Sequence, residues 1–173
     1  MSGEIHEGED PFAAPESERD PIRRFRGRLA APVTIVTAGD DTGRSGLTIS
    51  SIMLAEGEPG SVHFLLGPTA DVYEIIERTD RFVVHVLAQS DRGLSDVFAG
   101  RRPSPGGLFS GLAVSSSDWG PTLDDVADRA YCSGISVIEQ GYSLLVSAGI
   151  DRVEITDLLD PLVYHRGSYR GLA

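Results

Sequence analysis

Apolar positions recur along this chain in two rhythms. Ile22, Phe25 and Leu29 fall at i, i+3 and i+7, a helical stripe that Pro32 would end. From residue 33 the rhythm shortens. VTIVTAG (33–39) is β-branched, DDTG (40–43) has the composition of a turn, and RSGLTISSIML follows, which together predict a hairpin. SVHFLLG (61–67) and RFVVHVLA (81–88) read as further strands. Between them TADVYEIIERT (69–79) is helical, with Val72, Ile75 and Ile76 on one side and Thr69 or Asp71 as the N-cap. SDRGLSDVFAG (90–100) predicts a short helix capped by Ser90 and closed by Gly100.

The second half is richer in strands. A Pro/Gly-rich loop, RRPSPGGLFSG, precedes a short strand and turn. RAYCSGISVIEQ (129–140) and YSLLVSAGIDRVEI (142–155) form two long strands about Gln140–Gly141, and LVYHRG (162–167) is the last. The expected fold is mostly β with a few helices. Its roughly seven strands, joined by short turns, make a largely antiparallel sheet, and closure into a barrel would remove its exposed edges.

Composition narrows the function classes. The chain has 173 residues, enough for one core, with residues 1–15 expected as a loose acidic tail and 16–173 as the domain. Acids outnumber bases 26 to 15, giving a net charge of −11, which argues against a nucleic-acid or anionic-membrane surface. Every base is arginine. The single cysteine, Cys132, cannot form an internal disulfide and has no zinc-binding spacing, so no metal is expected. The N-terminus has no apolar run resembling a signal peptide, and no segment is apolar for the length of a membrane span; a cytoplasmic protein is the expectation.

Three stretches offer chemistry. GLTISSIML (46–54) carries hydroxyls at Thr48, Ser50 and Ser51 around Ile49, suited either to a polar ligand edge or to satisfying their own backbone. LLGPTADVY (65–73) places Gly67 and Pro68 before a helix N-terminus, where free N–H groups and the dipole suit a phosphate. DPLVYHRGSYRGL (160–172) gathers a histidine, arginines and two tyrosines at the end of an acidic chain. Alternation along that strand puts Leu162 and Tyr164 on one face and His165 on the other. His63 and His85 lie within apolar strands and read as structural.

The order of FRGRLAAPVTIVTAGDDTGRSGLTISSIM, RFVVHVLA, DVFAG and DPLVYHRGSYRGL resembles the flavin reductase-like family over Arg23 to Leu172. The resemblance implies an FMN-binding split β-barrel of antiparallel, Greek-key topology, assembled as a homodimer. It implies a cytoplasmic oxidoreductase passing hydride from NADH or NADPH to FMN or FAD, in some members supplying a partner monooxygenase. It assigns Thr48, Ile49, Ser50 and Ser51 to the flavin edge and Gly67, Pro68, Thr69 and Asp71 to its phosphate and ribityl chain. Phe98 would either approach the flavin or fill the core. His165, Arg166 and Tyr169 match the nicotinamide side, with His165 the candidate catalytic group. The chain departs from the family pattern twice. Asp71 stands where many members carry a serine- or arginine-rich run, and would repel a phosphate; Arg101 or Arg102 is the candidate to offset it. Gly141–Tyr142–Ser143 replaces a hairpin that often carries histidine. The departures leave open an FMN protein with a non-nicotinamide donor, or a flavin-binding module without turnover.

Overall fold

A computed structural model describes residues 20–158 and 160–172; the expected acidic tail lies outside them. The elements are α1 (Pro21–Arg26), β1 (Ala31–Pro32), β2 (Thr34–Asp40), β3 (Gly43–Ile49), β4 (Ile52–Ala55), β5 (Ser61–Leu66), α2 (Asp71–Thr79), β6 (Arg81–Val86), α3 (Arg92–Phe98), β7 (Val114–Ser117), β8 (Gly120–Leu123), β9 (Arg129–Gln140), β10 (Ser143–Glu154), β11 (Val163–His165) and β12 (Ser168–Arg170).

Seven strands form one antiparallel sheet in the order β3-β2-β6-β9-β10-β5-β4. Its outermost strands, β3 and β4, are consecutive in sequence. Only Ser50 and Ser51 separate Ile49 from Ile52, a span of at most about 11 Å, so the sheet must curl until its two edges meet there. Leu65 N–H donates to Ser51 O at 3.2 Å, carrying the β4–β5 pairing up to the serines. The sequence reading ran residues 44–54 as one strand. The structure breaks it at the two serines, because the half after them pairs with β5 instead of β2.

The barrel interior holds Val36, Phe64, Leu66, Val72, Ile76, Phe82, Cys132 and Val146, with Phe64 and Phe82 edge to face at 5.3 Å. A second apolar cluster, including Ile35, Leu87, Phe98, Phe109, Leu123 and Leu162, lies beneath α3, the 101–111 loop and the C-terminal hairpin. The small sheet β1-β11-β12 is held onto the barrel through Val33, Leu87 and Leu162: Val33 N donates to Leu162 O, Leu162 N to Leu87 O and Leu87 N to Val33 O, at 2.8–3.1 Å. All three side chains are buried, so this junction is the rigid base from which the closing hairpin projects.

Several local expectations shift. The first helix stops at Gly27, before Leu29; Asp20 caps it by accepting from Ile22 N and Arg23 N. Its apolar stripe is uncovered in the single chain, with Ile22 79% and Phe25 70% exposed. Ala70, not Thr69 or Asp71, occupies the N-cap of α2 and makes no side-chain bond there. A 3-10 turn, Gln89–Asp91, precedes α3, and Asp91 rather than Ser90 accepts from a backbone N–H, that of Ala88. Gly100 does close α3, in the left-handed region at φ +69°. The last strand is a hairpin: Arg166 and Gly167, both at positive φ, make the two-residue turn that lets His165 pair with Ser168. Among the described residues no helix is long and apolar enough to cross a membrane.

Candidate functional site

The end of β3, the end of α3 and the closing hairpin converge on one cleft of about 100 Å³, lined by Val33, Thr48, Ser50, Ala99, Arg101, Tyr164 and Tyr169. Pleating explains the selection. Thr48 and Ser50 share one face of the seam while Ile49 turns into the core. Tyr164 and Tyr169 are register partners across β11–β12, so both project from one face of the hairpin, with ring centroids 5.6 Å apart at 67°.

The hydroxyls are not equally available. Thr48 Oγ1 donates to Ser95 O at 2.7 Å, which leaves only its lone pairs for a ligand. Ser51 Oγ donates to Leu65 O at 3.3 Å on the neighbouring strand β5. The Ser50 hydroxyl has no hydrogen-bond partner among the described residues. Tyr169 donates to Asp96 Oδ1 at 2.9 Å and lies 2.8 Å from Ser95 Oγ. Burial pushes its phenol pKa up; the Ser95 bond opposes that and the Asp96 carboxylate reinforces it. Tyr169 is therefore a neutral phenol at physiological pH.

Arginine side chains crowd this corner. Arg101 donates from a guanidinium nitrogen to Tyr164 Oη at 2.7 Å, with its guanidinium carbon 5.2 Å from the Tyr164 ring and 5.9 Å from that of Tyr169. Arg92 lies 5.4 Å from the other tyrosine, Tyr169. Burial works against the charge of Arg101, but the Tyr164 bond and the neighbouring phenols and Asp96 outweigh it and raise its pKa, so it stays a cation.

The structure separates several residues that the sequence reading grouped. Phe98 is 2% exposed and meets Phe109 edge to face at 5.4 Å; it is core, and no face of it is open to a flavin. Ile49 is likewise buried, and its carbonyl is taken by Thr34 Oγ1 at 2.8 Å. His165 pairs with Ser168, on the face of the hairpin opposite Tyr164 and Tyr169, so it does not join Tyr169 at the cleft. Arg166 is exposed at the hairpin tip, and its N–H donates to Gly27 O at 3.1 Å. Gly67, Pro68 and Thr69 form an exposed loop. Asp71 lines a different, wider groove of about 640 Å³ between α2 and the Gly106–Ser110 loop, together with Glu74, Arg44 and Arg78. With Asp71 and Glu74 in its first turn, α2 already has carboxylates answering its N-terminal dipole, which disfavours a phosphate there.

His63 bridges Ser61 Oγ and Ser147 Oγ at 3.0 and 2.8 Å on the outer sheet face, and His85 is fully buried. Of the cleft lining, sequence reasoning left out Val33, Ala99 and Tyr164, and behind it Ser95 and Asp96, which hold the Tyr169 hydroxyl. Tyr164 was legible in the alternation but was read as a core residue through its kinship with Leu162. The α3 contribution appears only once the chain is folded.

The donor set suits a flavin edge in part. A free serine hydroxyl, a threonine acceptor, two flat phenol rings and a cation match a flat heteroaromatic ligand carrying polar edge groups and a phosphate. The cleft is smaller than the roughly 300–1,000 Å³ typical of sites that enclose a ligand of that size. One chain thus supplies a wall and a corner.

Comparison with known proteins identifies the family and the fold. The sequence profile described as "Flavin reductase like domain" matches residues 26–173. An FMN reductase (NADH) of Stutzerimonas stutzeri (strain A1501) is 27% identical over 162 residues, covering 94% of this chain and 92% of the relative. The reductase subunit of a flavin-dependent monooxygenase of Rhodococcus jostii (strain RHA1) is 31% identical over 154 residues, covering 87% and 77%. Among solved structures, a flavin reductase in its native state superposes with a TM-score of 0.80 at 25% identity, covering 90% of this chain and 99% of that one.

Proposed function

Since the chain belongs to the flavin reductase-like family, we propose that it is an NADH-dependent flavin reductase that delivers reduced flavin to a partner monooxygenase. The observation that carries the reading is the cleft itself. Thr48 and Ser50 from the barrel seam, Arg101 from the loop after α3 and the Tyr164–Tyr169 pair from the closing hairpin meet at one point of a chain whose family reduces flavins. When bound, the flavin supplies the hydride acceptor. The chain's part is to position it. Ser50 offers an uncommitted hydroxyl to the ring edge, the tyrosine pair offers flat apolar surface for stacking, and Arg101 offers positive charge. No residue need act as a strong acid or base, because hydride transfer depends chiefly on alignment and exclusion of water.

Two finer features complete the proposal. The protein acts as a homodimer, because the cleft is a partial wall and the outer face of the sheet carries an uncovered apolar row. Ile138, Leu145 and Leu65 lie side by side across β9, β10 and β5, with Ile138 57% and Leu65 39% exposed, and Tyr142 stands fully exposed at the tip of the β9–β10 hairpin. A twofold partner lying on that row would bury it. The setting is cytoplasmic, where NADH is available.

The test is anaerobic mixing of the protein with FMN and then NADH, following the visible flavin absorption band. Protein-dependent bleaching at catalytic enzyme concentration is expected, faster with NADH than with NADPH. Bound flavin that stays oxidised with both nucleotides would overturn the reductase reading in favour of a different electron donor. Sedimentation velocity tests the dimer, and a monomer at micromolar concentration refutes it.

A further inference from the structure

We propose that Arg101 is the phosphate-gripping residue of the cleft, taking over the role that the acidic start of α2 cannot fill. The proposal rests on the flavin reductase reading for the identity of its ligands, and it assigns a specificity-determining role to a residue in the loop that follows α3.

Arg101 is held in place before any ligand arrives. Its own N–H and that of Arg102 both donate to Asp96 O, at 2.9 and 3.2 Å, and the left-handed Gly100 turns the chain so that this can happen. Its side chain lies along the two tyrosine rings, which fixes the guanidinium without using its donors. Of the five N–H groups a guanidinium carries, one is engaged, by Tyr164 Oη. No carboxylate lies within ion-pair distance of it among the described residues, whereas Arg78 is paired with Asp40, and Arg129 and Arg152 with Glu154. The nearby Asp96 carboxylate already accepts the Tyr169 hydroxyl.

A cation with spare donors beside an open hydroxyl is an anion site, and a forked guanidinium suits phosphoryl oxygens. The site matters more here because the chain carries −11 overall and so repels nucleotides at a distance. The neighbouring Arg102 does not share this position. Its guanidinium nitrogen lies beside Gly93, 3.3 Å from where a β-carbon would stand, packed back on α3 and absent from the cleft lining. At the first turn of α2, by contrast, Asp71 and Glu74 would face an incoming phosphate with like charge.

A phosphoryl group could come from the flavin nucleotide or from the dinucleotide, and ligands lacking phosphate separate the two. Binding is measured by flavin fluorescence quenching with FMN and with riboflavin, and by reduced-nicotinamide fluorescence with NADH and with reduced nicotinamide riboside. The parent, Arg101→Gln, Arg101→Lys and Arg102→Gln are compared at two salt concentrations. Arg101→Gln is expected to raise Kd at least tenfold for the phosphate-bearing member of one pair and to leave its phosphate-free member within twofold. Arg101→Lys should recover part of the loss, since it keeps the charge but not the fork. Arg102→Gln, which removes the same charge nearby, should stay within threefold of the parent. A loss confined to FMN identifies the flavin phosphate; a loss confined to NADH identifies the dinucleotide. If Arg101→Gln weakens both members of a pair equally, or none of the four ligands, the assignment is wrong. A parent protein that reduces flavin normally while Arg101→Gln binds like it sinks this inference alone. A parent that binds neither flavin nor NADH sinks the functional reading beneath it.

Discussion

Ser95 and Tyr169 meet hydroxyl to hydroxyl across 2.8 Å although 74 positions separate them in sequence. The single phenolic proton of Tyr169 goes to Asp96 Oδ1, so Ser95 must be the donor in the shared bond. Ser95 is fully buried in α3, and its carbonyl accepts from Thr48. One residue of α3 thus ties the barrel seam to the closing hairpin. Tyr169→Phe keeps the ring over the cleft but leaves a buried hydroxyl without its acceptor. It should destabilise the protein by about 1–3 kcal/mol in urea unfolding. The double variant Ser95→Ala/Tyr169→Phe should recover part of that loss. Strictly additive losses would show that the bond does not form in solution.

The core placement of Phe98 yields a second prediction. A β-carbon at Gly46 would lie 2.7 Å from Cε1 of Phe98 and 3.0 Å from Val36 O. Glycine is therefore required in β3 because the ring lies over its backbone. Gly46→Ala should lower stability by about 1–3 kcal/mol through overpacking, and adding Phe98→Leu should return part of it by making room. Phe98→Leu alone should lower the unfolding midpoint and leave the FMN dissociation constant within twofold. A large change in FMN affinity with unchanged stability would restore the flavin-contact role that the sequence suggested for Phe98.

The rhythm of apolar residues made the strands and α2 legible, because burial on one or both faces imposes it directly. The split at Ser50–Ser51 was not legible. GLTISSIML is continuous in composition, and only long-range pairing with β5 shows that its two halves lie on opposite edges of the sheet. The hydroxyls at 48 and 50 and the ring at 169 stood out separately in the sequence, the first two for a flavin edge and the third for a nicotinamide side, because short polar residues at a strand end and aromatic residues in a basic tail are local signals; that all three line one cleft appears only in the fold. Arg101 could be named only as one of two loop arginines. Which of them faces the cleft depends on the left-handed Gly100 and the shared carbonyl of Asp96, which no spacing encodes. His165 fell away from Tyr169 for a reason visible only with the hairpin turn in hand. A two-residue turn at 166–167 pairs 165 with 168 and 164 with 169, so the faces follow from the register.

Cys132 sits wholly buried in β9, and burial, reinforced by Asp151, pushes its thiol pKa up to about 12. Thiolate is the reactive form, so the native protein should be silent towards an aromatic disulfide reagent at neutral pH, and one thiol should titrate after unfolding in guanidinium. Rapid labelling of the native protein would mean that β9 opens on the timescale of the assay. Cys132→Ala should leave flavin reduction unchanged and cost stability, through the small cavity left in the barrel.

His85 provides a pH signature of folding. Its Nε2 accepts from Leu123 N at 3.1 Å, which places the ring proton on Nδ1, where it is donated to Ile35 O at 3.2 Å. The neutral ring is thus satisfied on both sides and has no vacant site for a second proton. Burial is the chief cause that lowers its pKa from 6.5 to about 4, with Arg129 adding to it and the Ile35 bond opposing. The unfolded chain takes up a proton on this residue near its ordinary value, while the folded chain resists until much lower pH. Stability from this group is therefore complete above 6.5 and is lost as pH falls through the interval down to about 4. The loss amounts to about 3 kcal/mol on that interval. Asp40, whose carboxyl is held well below its ordinary value by Arg78 and Thr42, loses its contribution only below 3.8, outside this window. Urea unfolding at pH 7 and pH 4.5 should show the parent losing stability, and His85→Leu, less stable at pH 7 for want of two buried hydrogen bonds, losing clearly less between the two. Parallel losses in the two proteins would assign the acid sensitivity to carboxylates instead.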